Sequence, residues 1–273
     1  METKYIIGRR LAQWLATTDA EHDTRFPPRI PYAVSVARRM DQTAWKPKPA
    51  LKRRLLNRVL IYLLAAVLAF YALAALSLMA LRSVNPPFTA VHTERRMQSW
   101  FQRAPYHKRY VFVPLSRISL DFQHAVIAAE DSRFYQHHGF DWEEVRNAIE
   151  EEQEDGRLRG ASTITQQLVK NLFLTTSRSF VRKGIEYALV PPAEFVLGKR
   201  RILELYLNVV EWGPGVYGAE AAAEFHYGIS AAHVNRDQGA RLAAVLPSPL
   251  RRKPARMNEY SARILERMSK MGW

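Results

Sequence analysis

Apolar positions fall into two regimes along this chain. Val59 to Leu81 reads VLIYLLAAVLAFYALAALSLMAL, 23 residues without a charge. At about 1.5 Å per residue such a helix is roughly 34 Å long, enough to cross a bilayer with some tilt. Core helices of soluble proteins rarely run this long uncharged, and a signal peptide has a shorter apolar region that does not follow 58 residues of chain. The stretch is therefore predicted to be a retained transmembrane helix. Beyond Asn85-Pro86-Pro87 the pattern becomes periodic. Phe122, Ala125, Val126 and Ala129 fall at i, i+3, i+4 and i+7, the spacing of one helix face. Trp142, Val145 and Ile149 repeat it, as do Ile164, Leu168 and Leu172, and then Ile202, Leu205 and Val209. Ala219–Phe225, Asp237–Leu246 and Ser261–Met271 are further helical segments, whereas 82–110 reads as an irregular or helical juxtamembrane stretch. Alternating patterns are scarce, and Tyr110–Val113 is the best strand. Pattern alone thus predicts a mostly α-helical protein: a tail over 1–58, a membrane helix over 59–81 and one domain over 82–273.

Charge orients this picture. The chain carries 40 Lys and Arg against 26 Asp and Glu, net +14, and no cysteine. Disulfide scaffolds and Cys-based zinc or iron–sulfur sites are excluded. Seven cations lie in the 20 residues before the apolar span and three in the 20 after it, which places the N-terminus in the cytoplasm and the domain outside. Residues 1–58 hold 13 basic and 5 acidic side chains, so anionic membrane lipid is the expected neighbour of the tail. Its five prolines argue for a mostly flexible segment with a short helix at 5–16. Cations on the far side of a membrane, without a recognised reader motif, make nucleic acid the least fitting partner.

Three segments carry candidate chemistry. In EDSRFYQHHG, Glu130 closes the helix that starts near Ser119. The negative end of the helix dipole and the neighbouring Asp131 both raise a carboxyl pKa, as a general base or acid requires. An exposed acid pair at a helix end is the other reading. His137 and His138 point in different directions and have no partner cluster at ligand spacing, so they read as structural in a turn closed by Gly139 and no metal site is assigned. In GASTITQQLVKN, Thr163 and Gln166 fit a capping box. Gln166, Gln167, Lys170 and Asn171 then share an arc of about 140°, away from Ile164, Leu168 and Leu172. Lys170, Arg178, Arg182 and Lys183 form a cation cluster suited to phosphate or pyrophosphate, although Arg182 and Glu186 at i,i+4 equally suit a surface ion pair. A base beside cations suggests transfer of a group from a phosphate leaving group. A glycosidase would instead need a carboxylic acid to protonate its leaving oxygen. The run EEEQEDGRLR at 150–159 reads as a solvated helix end and loop.

These segments resemble glycosyltransferase family 51, the peptidoglycan glycosyltransferases that polymerise lipid II. EDSRFYQHHG is similar to the family's E-D-x-x-F-x-x-H-x-G and GASTITQQLVKNLFL to its G-x-S-T-I-T-Q-Q-L-x-K-N. RKGIE resembles R-K-x-x-E, and KRRILELYLNVVEWG resembles K-x-x-I-L-E-x-Y-L-N-x-x-x-x-G. The resemblance covers roughly 90–255. It implies a lysozyme-like α-helical lobe with a jaw lobe that dips into the membrane. Glu130 corresponds to the base that activates the acceptor 4-hydroxyl, with inversion at the donor. Lys170 and Arg178 correspond to cations on the lipid pyrophosphate, and Gln166, Gln167 and Arg182 to cleft positions. Ser162 and Asn171 match cleft or packing positions, and Glu186 is the second motif glutamate, with a supporting role near pyrophosphate or metal. No cofactor is implied as required, and a divalent cation is compatible. The implied partners are lipid II and the growing glycan chain in a bacterial inner membrane, with the domain periplasmic. Cross-linking enzymes and division or elongation proteins are possible companions that no segment identifies. No Ser-x-x-Lys or Lys-Thr-Gly occurs, so the monofunctional form is expected. Pro191-Pro192 departs from the family pattern. It predicts a stop or kink near Val190 and puts the placing of Glu194 in doubt.

Overall fold

The computed structural model describes residues 50–103, 105–155, 162–177 and 179–273. The tail up to residue 49, where the proline breaks and a short helix are expected, lies outside the described residues, as do Arg178 and residues 156–159 of the polar run.

Helix α1 (Ala50–Leu81) contains the apolar span, and Leu55–Leu81 is long and apolar enough to cross a membrane. Leu63, Leu64, Leu68, Leu73 and Leu76 are exposed along it, as lipid-facing side chains are, whereas Ala74, Leu78 and Leu81 are buried. The compact unit runs from Ile61 to Trp273, so these three belong to its core. Arg201 closes the helix end. Its Nε donates to the Leu81 carbonyl at 2.8 Å, and its Nη2 donates to the Val84 carbonyl and to Asn85 Oδ1. A guanidinium on final carbonyls satisfies orphan acceptors and suits the negative helix end.

After α2 (Ala90–Gln102) comes a small three-stranded sheet, with β1 (Arg109–Tyr110) parallel to β3 (Val216–Tyr217) and β2 (Glu211–Gly213) antiparallel to β3 across a register shift. The predicted strand at 110–113 is thus confined to its first residue. Val113 exchanges both backbone bonds with the Asn208 amide (2.8 and 2.9 Å), so a side chain stands where a neighbouring strand would pair.

Helix α3 (Leu120–Glu130) starts where Ser119 Oγ accepts the Phe122 N–H, and it is central to the fold. Phe122, Ala125, Val126, Ile127 and Ala128 are all buried, more than the one face its spacing predicts. It packs against α8 (Arg236–Ala243) and α9 (Asn258–Lys270). Helix α5 (Ile164–Phe173) packs along α6 (Phe180–Val209). Helix α7 (Ala219–Tyr227) covers the sheet. Helix α4 (Trp142–Asp155) has the predicted spacing but not the predicted burial: Trp142 and Ile149 are 67 % and 50 % exposed.

The stop or kink predicted near Val190 is absent. Backbone angles stay helical through Pro191 and Pro192, and the break in α6 comes at Gly198 (φ 69°, ψ 161°). Pro191 lies on an exposed face, where water can take the carbonyl its ring deprives of a donor. Leu189, Val190 and Ala193 on the opposite side are buried. Packing of that inner face holds the turn that propensity disfavours.

Candidate active site

The loop after α3 is stitched to the N-terminus of α5. Thr163 and Gln166 form the predicted capping box, so the Gln166 side chain is spent on the helix start rather than turned to a cleft. Thr163 Oγ1 also donates to the Gly139 carbonyl at 2.7 Å. Asp131 Oδ2 accepts the Ile164 N–H at 3.0 Å, a carboxylate at the positive helix end. Gly139 itself has φ +95°, and a Cβ there would stand 2.3 Å from Val190 Cγ1, so the turn closes tightly on α6.

His137 completes the latch. The Gly139 N–H donates to its Nδ1 (3.0 Å), which leaves the proton on Nε2 to donate to Asp131 Oδ1 (2.9 Å). Asp131, His137 and Asp141 offer ligand atoms within 4.8 Å of one another, a spacing that suits a metal ion. The tautomer set by Gly139, however, points Nε2–H rather than a lone pair at that point, and Asp141 Oδ1 already accepts the Glu144 N–H. Asp131 and His137 form a hydrogen-bonded latch, with Asp141 beside them.

This stitching places Glu130 beside the second turn of α5. Gln167 Nε2 donates to Glu130 Oε2 at 2.6 Å, while Tyr206 donates its hydroxyl to Gln167 Oε1 at 3.0 Å. The amide is thereby held in one orientation. Burial pushes the Glu130 carboxyl above the usual carboxylate range. The Gln167 hydrogen bond and Lys170 pull it back in part, and Asp131 adds to the rise. The direction read from the sequence agrees, but desolvation, rather than the helix dipole or Asp131, is the main cause. Burial likewise lowers the Lys170 ammonium, against the pull of Glu186 and Glu130. Among the described residues no hydrogen bond or ion pair occupies that ammonium.

Glu186 is buried and holds two cations, Arg182 Nη1 and Lys183 Nζ, each at 2.6 Å. Lys183 also reaches Ser162 Oγ at 3.2 Å. The i,i+4 pair predicted as a surface alternative exists, yet its carboxylate is buried and shared. Asn171 is buried. Glu194, whose placing was in doubt, receives Thr165 Oγ1 (2.5 Å) and Lys199 Nζ (2.8 Å), tying α5 to α6. Glu130, Ser162, Gln167 and Lys170 line one cleft of about 330 Å³.

The far wall of that cleft, Leu246, Pro247, Tyr260 and Arg267, escapes sequence reading. Arg252 lies over the Tyr260 ring (5.1 Å) and draws the Glu130 pKa down. Leu246 and Pro247 lie in the turns after α8, and Tyr260 and Arg267 in α9, where apolar spacing is the only sequence signal. Chemically, the cleft offers a carboxyl whose pKa burial raises and an ammonium that, among the described residues, has no hydrogen-bond or ion-pair partner.

Residues 96–271 match the family model described as Transglycosylase. The chain is 46 % identical over 211 residues to a protein of Pseudomonas fluorescens (strain SBW25), covering 76 % of this chain and 88 % of that one. A protein of Pseudomonas entomophila (strain L48) is 42 % identical over 219 residues, 80 % of this chain and 90 % of its own. One of Ectopseudomonas mendocina (strain ymp) is 43 % identical over 227 residues, 82 % and 90 %. All three bear the name biosynthetic peptidoglycan transglycosylase.

Proposed function

The chain belongs to the transglycosylase family, and from that premise we propose that it is a peptidoglycan glycosyltransferase that polymerises lipid II into linear glycan strands. The observation that carries this reading is the shared cleft, lined by Glu130 and by Lys170, which has no hydrogen-bond or ion-pair partner among the described residues. Glu130 accepts the proton of the acceptor 4-hydroxyl as that oxygen attacks the anomeric carbon of the donor glycan. The bond from that carbon to the lipid pyrophosphate breaks with inversion, and the leaving group departs with the bonding electrons. Lys170, Arg182 and Lys183 meet the charge that develops on it, as preorganised cations do at low cost in a partly dry site. Arg178 is assigned to the same side from its motif position. Gln167, oriented by Tyr206, keeps the Glu130 carboxylate turned to the cleft. Glu186 supports by fixing two of the cations, and Ser162 by fixing Lys183.

No cofactor is needed in this scheme, since side chains supply the positive charge; a divalent ion would add to it. The lipid-linked substrate agrees with a protein anchored through α1. The basic excess before that helix supports a cytoplasmic N-terminus and a periplasmic domain in the inner membrane. Cross-linking enzymes and division or elongation proteins are proposed companions for its product.

The test uses purified full-length protein in detergent with labelled lipid II, and intact glycan strands in parallel. Polymer from the first is the expected result. Fragments from the second without polymer would make the protein a lytic enzyme. Glu130→Gln is expected to lower turnover by about 10²–10⁴-fold, the usual worth of a general base, with folding intact. Turnover near the parental rate would remove Glu130 from that role.

A further inference from the structure

We propose that the juxtamembrane helix α2 belongs to the positioning machinery of this reaction, with Glu94 holding the α5–α6 connection that aims Arg182. The inference rests on reading that side of the cleft as the pyrophosphate side. Glu94 grips Thr176 twice: Oε2 accepts the Thr176 backbone N–H at 2.7 Å and Oε1 accepts its hydroxyl at 2.8 Å. A main-chain and a side-chain donor on one carboxylate fix the orientation of a peptide as well as its place, and charge assistance strengthens both bonds.

The next carbonyl along the chain, that of Ser177, accepts Arg182 Nε at 2.6 Å, while Arg182 Nη1 reaches Glu186. The guanidinium is thus held from two sides, and one of them depends on how Thr176 is set. Thr175, Thr176 and Ser177 are exposed. Among the described residues, Glu94 is the only side chain from outside α5, α6 and their connection that bonds to this stretch.

Helix α2 is itself fixed. Arg95 places Nε and Nη2 on Glu211 Oε2, each at 3.0 Å, and Nη1 on Gln98 Oε1. Gln98 in turn donates to Glu94 Oε1 at 3.2 Å. Helix α2 therefore braces the cation-bearing connection against β2. Misplacing a charge-stabilising group by about 1 Å costs up to 10²-fold, so such a brace is functional in a site whose cations work by preorganisation.

Glu94→Ala in the full-length protein is expected to lower kcat/KM for lipid II about tenfold, through a lowered kcat and a raised KM. It should weaken inhibition by added inorganic pyrophosphate by a similar factor, with an unchanged melting temperature. Glu94→Gln keeps an acceptor for the Thr176 N–H and should recover most of the loss. Thr176→Val, which keeps the N–H and removes the hydroxyl, should fall between and serves if the alanine variant folds poorly. Parental kcat/KM and pyrophosphate inhibition in Glu94→Ala or, should that variant not fold, in Thr176→Val would overturn the proposal. So would a lowered melting temperature with kcat/KM unchanged. A parental protein that makes no polymer would overturn the underlying reading instead, and this inference with it.

Discussion

Glu130 is held in a setting that suits its work and opposes its charge. Because burial raises its pKa and also lowers that of Lys170, the two limbs of the pH–rate profile approach each other. Activity is expected to fall on the acid side while pH is still above the usual carboxylate range, as Glu130 takes its proton. It should fall on the alkaline side below the usual lysine range, as Lys170 loses one. Lys170→Arg, with a guanidinium charged throughout, should move the alkaline limb upward and leave the acid limb in place. Initial rates of polymerisation across pH 5–10 check both limbs. Stability has the opposite sign to function here. A carboxyl whose folded pKa is raised contributes its stabilisation fully below the unfolded pKa, about 4.3, and loses it as pH rises through the folded one. Glu130→Gln keeps an acceptor for Gln167 and removes the buried charge, so it should melt higher than the parent at pH 7, by about 1 kcal/mol. That gain should vanish near pH 4; an unchanged or lower melting temperature at pH 7 would show that the Gln167 bond and Lys170 outweigh burial.

Helix α5 was legible because its signals are local: a capping box at Thr163 and Gln166 and an apolar i, i+4 repeat need no distant partner. Helix α6 was misread for the converse reason. Two adjacent prolines weigh heavily in any local reading, but buried Leu189, Val190 and Ala193 outweigh them. The actual break, at Gly198, is silent in a sequence where glycine also has blander uses. Its φ 69° and ψ 161° lie in a region open essentially to glycine alone, and a Cβ there would meet nothing within 4 Å. Gly198→Ala should therefore cost about 1–3 kcal/mol through backbone strain, without any steric clash. Pro191→Ala, restoring a donor on the exposed face, should be neutral or stabilising. Thermal melts of the two variants test the assignment, and it fails if the proline change proves the costlier. Strands β2 and β3 carry no sequence signal because two- or three-residue pairings have no period, and the predicted strand at 110–113 stops short because Asn208 is a partner that no alternation pattern encodes.

At the scale of the whole molecule, the membrane helix and the domain share a core. The apolar run of α1 reads from sequence at once, but run length says nothing of which residues face lipid and which face protein. The end of the helix is held by Arg201, more than a hundred residues away, whose guanidinium reaches the Leu81 and Val84 carbonyls and Asn85. In these last turns Leu78 is completely buried in the core, while Leu76, two residues earlier, is 58 % exposed. The two leucines are equivalent by composition, propensity and hydropathy, so they separate an anchor that is merely tethered from one that is packed. In full-length protein in detergent, Leu78→Ala should cost about 2–5 kcal/mol, the loss of a buried leucine with a residual cavity. Leu76→Ala exchanges one detergent-facing side chain for another and should stay within about 0.5 kcal/mol. Melting followed by tryptophan fluorescence reads the domain rather than the anchor, since α1 holds no tryptophan and the Trp212 ring lies in the core beside Phe122. A drop confined to Leu78→Ala would make the end of α1 a structural part of the catalytic domain. Equal melting of both variants would make it a tether, with cleft height above the bilayer set elsewhere.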